Sequence, residues 1–344
     1  MYMSKRSPPP PPGESARSAP GREARPPHGE KIDLVYTWVD DSWPGYMKEL
    51  GRYASKDHDS NPNRTRDNLE LLRYSLRSVA RHAPWLGNVY LLSMRPQVPG
   101  WLDTGHPRLR IVHHDQIMDP AHLPTFNSFA IVSHLHALPG VSSPFLYLED
   151  DMLFGASVSP ADFMDEAGSP RLFFQKQTTP DAALRARRDI SPWNAALARA
   201  NHLLDGRFGA VSRRRHVNHV PLLVYPDLWR ETLEQWPDAI ASTRASRFRD
   251  VGNVPPEYLY PYYAFATGRA ASAPAVSVKR DFFYFPLENW RLHARLCTSW
   301  VDWRGPKFMT LNDNFGAHPN PAVVAHLRAT LERWYPDPSP FEKR

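Results

Sequence analysis

Beyond residue 30 the chain alternates short β-branched and aromatic runs with longer segments of helical period. That alternation predicts strand–helix units around a mainly parallel sheet. Residues 32–39 read as the first strand. Leu69, Leu72, Leu76 and Val79 recur at three- and four-residue spacing and predict an amphipathic helix over residues 68–82, stopped by Pro84. Residues 88–93 and 109–113 read as the second and third strands. A second helix is expected over residues 128–138, with Ser128 as N-cap and Pro139-Gly140 as terminator. Residues 145–148 form a short apolar strand that delivers Glu149, Asp150 and Asp151. After it come a strand at 172–175 and helices at 193–204, 228–236 and 257–267, so the second half reads as helical elaboration on the first.

The amphipathic pattern is missing from residues 1–29, which hold eight prolines and almost nothing apolar. Such a segment cannot bury enough surface to offset its ordering entropy, and a disordered, partly polyproline tail is expected there. Residues 30–344 are then expected to form one catalytic domain, since no later linker or 20–50-residue repeat divides them. The 344 residues, 42% hydrophobic and 12% aromatic, suffice for a substantial core.

Charge alters this picture little. The net charge is +6, and arginine outnumbers lysine 34 to 8, a bias that suits bidentate contact with phosphates or carboxylates. It is compatible with a nucleic-acid partner, but neither a recognised binding module nor a basic-aromatic repeat accompanies it. A lone cysteine, Cys297, excludes an internal disulfide and a four-cysteine metal site. No apolar run approaches the ~18–20 residues of a membrane span. Near the N-terminus Pro8 to Pro12 stand where a signal peptide would carry its apolar stretch. A cytoplasmic protein without a transmembrane segment is the expectation.

Two strands end in acids: the first in Asp40 and Asp41, the fourth in Glu149, Asp150 and Asp151. At the carboxyl edge of a parallel sheet such acids face the usual ligand crevice, and a divalent cation carrying a nucleotide diphosphate would relieve their repulsion. Solvated acids opening a loop are the alternative. Trp38 and Tyr36 could stack on a base or fill the core. Neither glycine-rich phosphate loop is present. Each histidine pair, including His216 with His219, is compatible with a structural role, and Arg244, Arg247 and Arg249 are either phosphate anchors or a solvated helix face. Acids on strand ends would serve a metal-dependent glycosyltransferase equally well.

Longer strings narrow the choice. IDLVYTWVD, RDNLELLRYSLRSVARHAPWLGNVYLLS, LRIVHHDQI and LPTFNSFAIVSHLHALPGVSSPFLYLEDDMLFG resemble the first two signature regions of the Stealth family of sugar-phosphate transferases. HVNHVP, SRFRDVGN and KFMTLNDNFG resemble its third and fourth, and the resemblance runs over residues 31–318. It implies a nucleotide-sugar-transferase-like, Rossmann-like α/β fold. The implied reaction transfers a hexose-1-phosphate, or its N-acetylhexosamine counterpart, from a UDP-sugar to a glycan hydroxyl in capsule or exopolysaccharide synthesis, with release of UMP. The family pattern implies His219, Arg249 and Asp151 as catalytic residues. Asp150, Asp151 and Asp313 are the implied ligands of Mg²⁺ or Mn²⁺, and Trp38, Asp40, Arg66, Asp67, Asn68, Asn127 and Asn312 the implied substrate contacts. Glu149 and Asp40 stand where the family often has asparagine. Peripheral association with the inner membrane face is a further expectation.

Overall fold

The computed structural model describes residues 31–55, 65–187, 189–211, 213–271 and 280–344. The tail expected over residues 1–29 lies outside them. In chain order the described elements are β1 (Asp33–Trp38), α1 (Tyr46–Tyr53), α2 (Leu71–His82), β2 (Val89–Ser93), β3 (Leu109–His113), α3 (Ser128–Val132), β4 (Phe145–Glu149), β5 (Met152–Phe154), β6 (Phe174–Thr178) and α4 (Pro192–Phe208). They continue with β7 (Arg215–Val217), β8 (Leu222–Val224), α5 (Pro226–Glu234), α6 (Pro237–Ala245), α7 (Pro256–Ala266), β9 (Phe282–Leu287), α8 (Arg291–Arg304), β10 (Phe308–Asp313) and α9 (Pro321–Trp334).

The main sheet runs β3-β2-β1-β4-β8, parallel through its first four strands and antiparallel at β8. This is the expected α/β architecture with a mainly parallel sheet. Leu34, Val35 and Tyr36 of β1 and Leu146 and Leu148 of β4 are fully buried, as central strands covered on both faces require. Each such side chain contributes about 1.5–3 kcal/mol of burial free energy. Helix α2 joins two cores. Leu72, Leu76 and Val79 pack with the main sheet, whereas Leu71 and Tyr74 pack with residues of β9, β10, α8 and α9.

Four expectations change. Helix α2 begins at Leu71, not residue 68: Glu70 is left-handed at φ 53°, and the Asp67 carboxylate accepts the Leu71 N–H at 2.9 Å. Helix α3 ends at Val132, followed by a short 3₁₀ turn at Leu135–Ala137, and its N-cap is Asn127, which accepts the Phe129 N–H. The sixth strand falls at Phe174–Thr178, two to three residues beyond its expected place. The second half is also more than helices. Strand β8 extends the main sheet, and β5-β10-β9 make a second one, with β10 antiparallel to β5 and parallel to β9. The two sheets meet at the β4–β5 turn, and just after β5 a Cβ on Gly155 would collide with the Pro306 carbonyl oxygen.

Candidate active site at the carboxyl ends of the strands

Because β1 and β4 are parallel neighbours, Thr37 stands opposite Glu149 and both strands end on one edge of the sheet. There a cleft of about 600 Å³ opens, lined among others by Trp38, the Thr65–Asn68 loop, Glu149, Asp150, Asp151, Arg249, Asn312 and Asp313. Topology brings the distant parts together. Strand β8 runs antiparallel to β4 with Tyr147 opposite Leu222, so His219, three residues before β8, arrives beside the end of β4. Strand β10 pairs with β5, and the Leu311 N–H donates to the Asp151 carbonyl at 2.9 Å, which sets Asn312 and Asp313 next to Asp151.

His219 Nε2 lies 3.2 Å from Asp151 Oδ1 and 3.7 Å from Glu149 Oε2. One ligand atom from each of these three side chains falls within 4.8 Å of the others. Two carboxylates and an imidazole at such spacing fit a divalent cation, and the mixed set suits Mn²⁺ at least as well as Mg²⁺. Burial works against charge on His219, but the carboxylates of Asp151 and Glu149 outweigh it and push the imidazole up to about 10. Burial and Asp151 raise Glu149, with His219 opposing. Asp150 is held well above the usual carboxylate range by burial and by Asp151, Asp67 and Glu149. So many strained carboxylates in one cleft make a place for positive charge.

The remaining residues divide by what their side chains touch. Burial pushes Asp67 up to about 6 although Leu71 N–H and Trp38 Nε1 both donate to it. Arg66 Nε donates to Asp41 at 2.9 Å, which anchors the loop. Asn68 donates to Asp313 Oδ2 at 2.8 Å while Asp313 Oδ1 accepts from Phe315 N–H, so both oxygens of Asp313 are engaged. Asn312 Nδ2 approaches Asp151 Oδ2 at 3.5 Å. Arg249 stacks over Phe129 and Trp193 and donates to Ser128 Oγ, with its guanidinium lining the cleft.

Two expected substrate contacts stand elsewhere. Asp40 is turned into its own loop, accepting from the Ser42 N–H and hydroxyl at 2.9 and 2.6 Å. Asn127 is completely buried, and its amide donates to Asn253 Oδ1 at 2.9 Å and to the Ser246 carbonyl at 3.1 Å. It fastens the α6–α7 loop that carries Arg249, and does not line the cleft. Sequence reasoning also passed over Glu257, in the first turn of α7. Its Oε2 is buried without a hydrogen-bond partner, and burial and Glu149 raise it to about 7 against the pull of Arg249 and His219. No motif marks it, because only the packing of α7 brings it into the field of Glu149 and His219.

Residues 64–172 match Stealth protein conserved region 2, and residues 302–344 match Stealth protein conserved region 4. The chain belongs to the Stealth family. Region 2 carries Arg66, Asp67, Asn68 and the Glu149–Asp151 acids; region 4 carries Asn312 and Asp313. This Stealth chain is 36% identical over 321 residues to an exopolysaccharide phosphotransferase of Streptomyces coelicolor, covering 91% of this chain and 52% of that protein. It is 33% identical over 320 residues to the exopolysaccharide phosphotransferase CpsY of Mycobacterium tuberculosis, covering 91% and 58%. The chain thus spans about half the length of the curated relatives it matches. Among solved structures, the apo-form glycosyltransferase GlyE of Streptococcus pneumoniae TIGR4 is similar with a TM-score of 0.38 and 12% identity, covering 90% of this chain and 65% of that one. A likeness that slight bears on nothing further.

Proposed function

We propose that this chain is a sugar-phosphate transferase that moves a hexose-1-phosphate, or an N-acetylhexosamine-1-phosphate, from a UDP-sugar to a glycan hydroxyl in exopolysaccharide or capsule synthesis. The observation that carries this reading is the convergence of Glu149, Asp151 and His219 within 4.8 Å at the edge of a cleft also lined by Arg249. The names of the relatives agree with it. Phosphoryl-type transfer asks for charge neutralisation at the pyrophosphate, placement of the acceptor and a home for its proton.

The carboxylates of Glu149 and Asp151 would hold Mg²⁺ or Mn²⁺, which when bound supplies positive charge to the donor pyrophosphate, and the His219 imidazole beside them stays free of the ion. Arg249, kept in place by Phe129, Trp193 and Ser128, binds the phosphate that is transferred. Trp38 and the Arg66–Asn68 loop take the nucleotide. The acceptor oxygen attacks the β-phosphorus, its bond to the bridging oxygen breaks, and UMP departs with that oxygen. The hydroxyl proton goes to Nδ1 of His219, while Asp151 orients the ring through Nε2. Neutralising the two carboxylates removes the attraction that keeps His219 charged, so the ring can accept a proton at neutral pH. Residues 30–344 serve in this reading as one catalytic domain, working at the inner face of the membrane.

Incubation of the chain with a panel of UDP-sugars, Mn²⁺ and a glycan acceptor should release UMP, and EDTA should stop it. Release of UDP, the product of an ordinary glycosyltransferase, would overturn the reading.

A further inference from the structure

Helix α8 carries apolar side chains on two opposite sides. Ala294 and Val301 are buried in the second core with Leu287 and Leu311. On the other side Leu292, Leu296 and Trp303 are 54%, 60% and 76% exposed, and Trp290 at the N-cap is 58% exposed. At 100° per residue, Leu292, Leu296, Ser299 and Trp303 fall within about 60° of one another and opposite Val301. They form one continuous stripe, and contiguous exposed apolar surface of this kind marks an interaction site.

The charges beside the stripe say what it meets. Arg291, Arg295 and Arg304 flank it, and none of them makes an ion pair among the described residues. Asp302, the only acid on the helix, is spent on Arg333, at 2.8 and 3.0 Å, and on Trp334 Nε1. Leucine and tryptophan outward with unpaired arginine on either side is the chemistry of a helix lying in the interface of an anionic bilayer. The position suits the site as well. Strand β9 leads into α8, and its Tyr284, 43% exposed, stands edge-on to His219 at 6.4 Å.

We propose that the outward face of α8 docks the chain on an anionic phospholipid surface, with Leu292, Leu296 and Trp303 entering the interface and Arg291, Arg295 and Arg304 meeting the lipid phosphates. The whole chain should sediment with phosphatidylcholine vesicles that contain phosphatidylglycerol, be released by high salt, and stay in solution with phosphatidylcholine alone. The emission of Trp303 should shift to the blue on binding, a signal missing from Trp303→Ser. Leu296→Ser with Trp303→Ser, and separately Arg291→Glu with Arg295→Glu, should each weaken binding roughly tenfold or more. Both sets sit on exposed positions, so melting temperatures should match the unaltered chain. The proposal fails if the chain ignores phosphatidylglycerol vesicles or if both variants bind as before. It fails equally if Trp303→Ser turns a dimer into a monomer with vesicle binding unchanged, because the stripe would then join two copies. None of these readouts depends on the reaction catalysed.

Discussion

At the end of β4, where the strand gives way to a turn, adjacent acids meet different surroundings. Glu149 and Asp151 converge on His219, while Asp150 between them is buried and feels Asp67 as well as its two acidic neighbours. Asp151→Asn and His219→Ala should each lower turnover ~10²–10⁴-fold with melting temperatures near that of the unaltered chain, as steady-state rates beside thermal melts will show. Asp150→Asn should do the reverse to stability. Its raised pKa means that the folded state favours the protonated form, so the ionised group weakens the fold as pH rises. The cation-free variant should therefore melt a few degrees higher than wild type at pH 8 in EDTA. His219 follows the same rule with opposite charge. Its contribution is complete below its ordinary value near 6.5 and is lost as pH climbs through about 10, so His219→Gln should flatten the fall in melting temperature across that window.

Between elements, the buried pair of Arg77 and Glu342 ties α2 to the chain end. The guanidinium meets both carboxylate oxygens at 2.8 and 2.9 Å, Arg73 adds a third contact, and together they hold Glu342 down to about 2. Glu342→Ala leaves a buried arginine short of its partner and should cost about 3–5 kcal/mol in denaturant unfolding. The contribution should be present above pH ~4.3 and disappear as pH falls through about 2. Local pattern carried β1, α2, β2, β3 and β4 because their apolar periods are long and their neighbours near in sequence. It could not carry β10, whose register depends on a β5 partner about 150 residues away, nor β9, which pairs on β10, nor the shift of the α3 cap from Ser128 to Asn127, whose amide is held by Asn253 and Ser246. The engagement of both oxygens of Asp313 by Asn68 and Phe315 is a tertiary fact that no motif announces.

Across the whole molecule, two sheets meet where β4 turns into β5, and the cleft gathers chemistry from both. The +6 balance finds uses in that arrangement: Arg249 and Arg66 line the cleft, and the arginines of α8 stand outside it. Among the described residues no helix is long and apolar enough to cross a membrane. In the proposed reading all of this serves the transfer of a sugar together with its phosphate, and the fate of one phosphorus atom tests that reading most directly. With a UDP-sugar labelled in the β-phosphate, the label should pass to the glycan in a phosphatase-resistant diester, and Asp151→Asn should abolish the transfer. Label that stays with the nucleotide while the glycan gains sugar would contradict it.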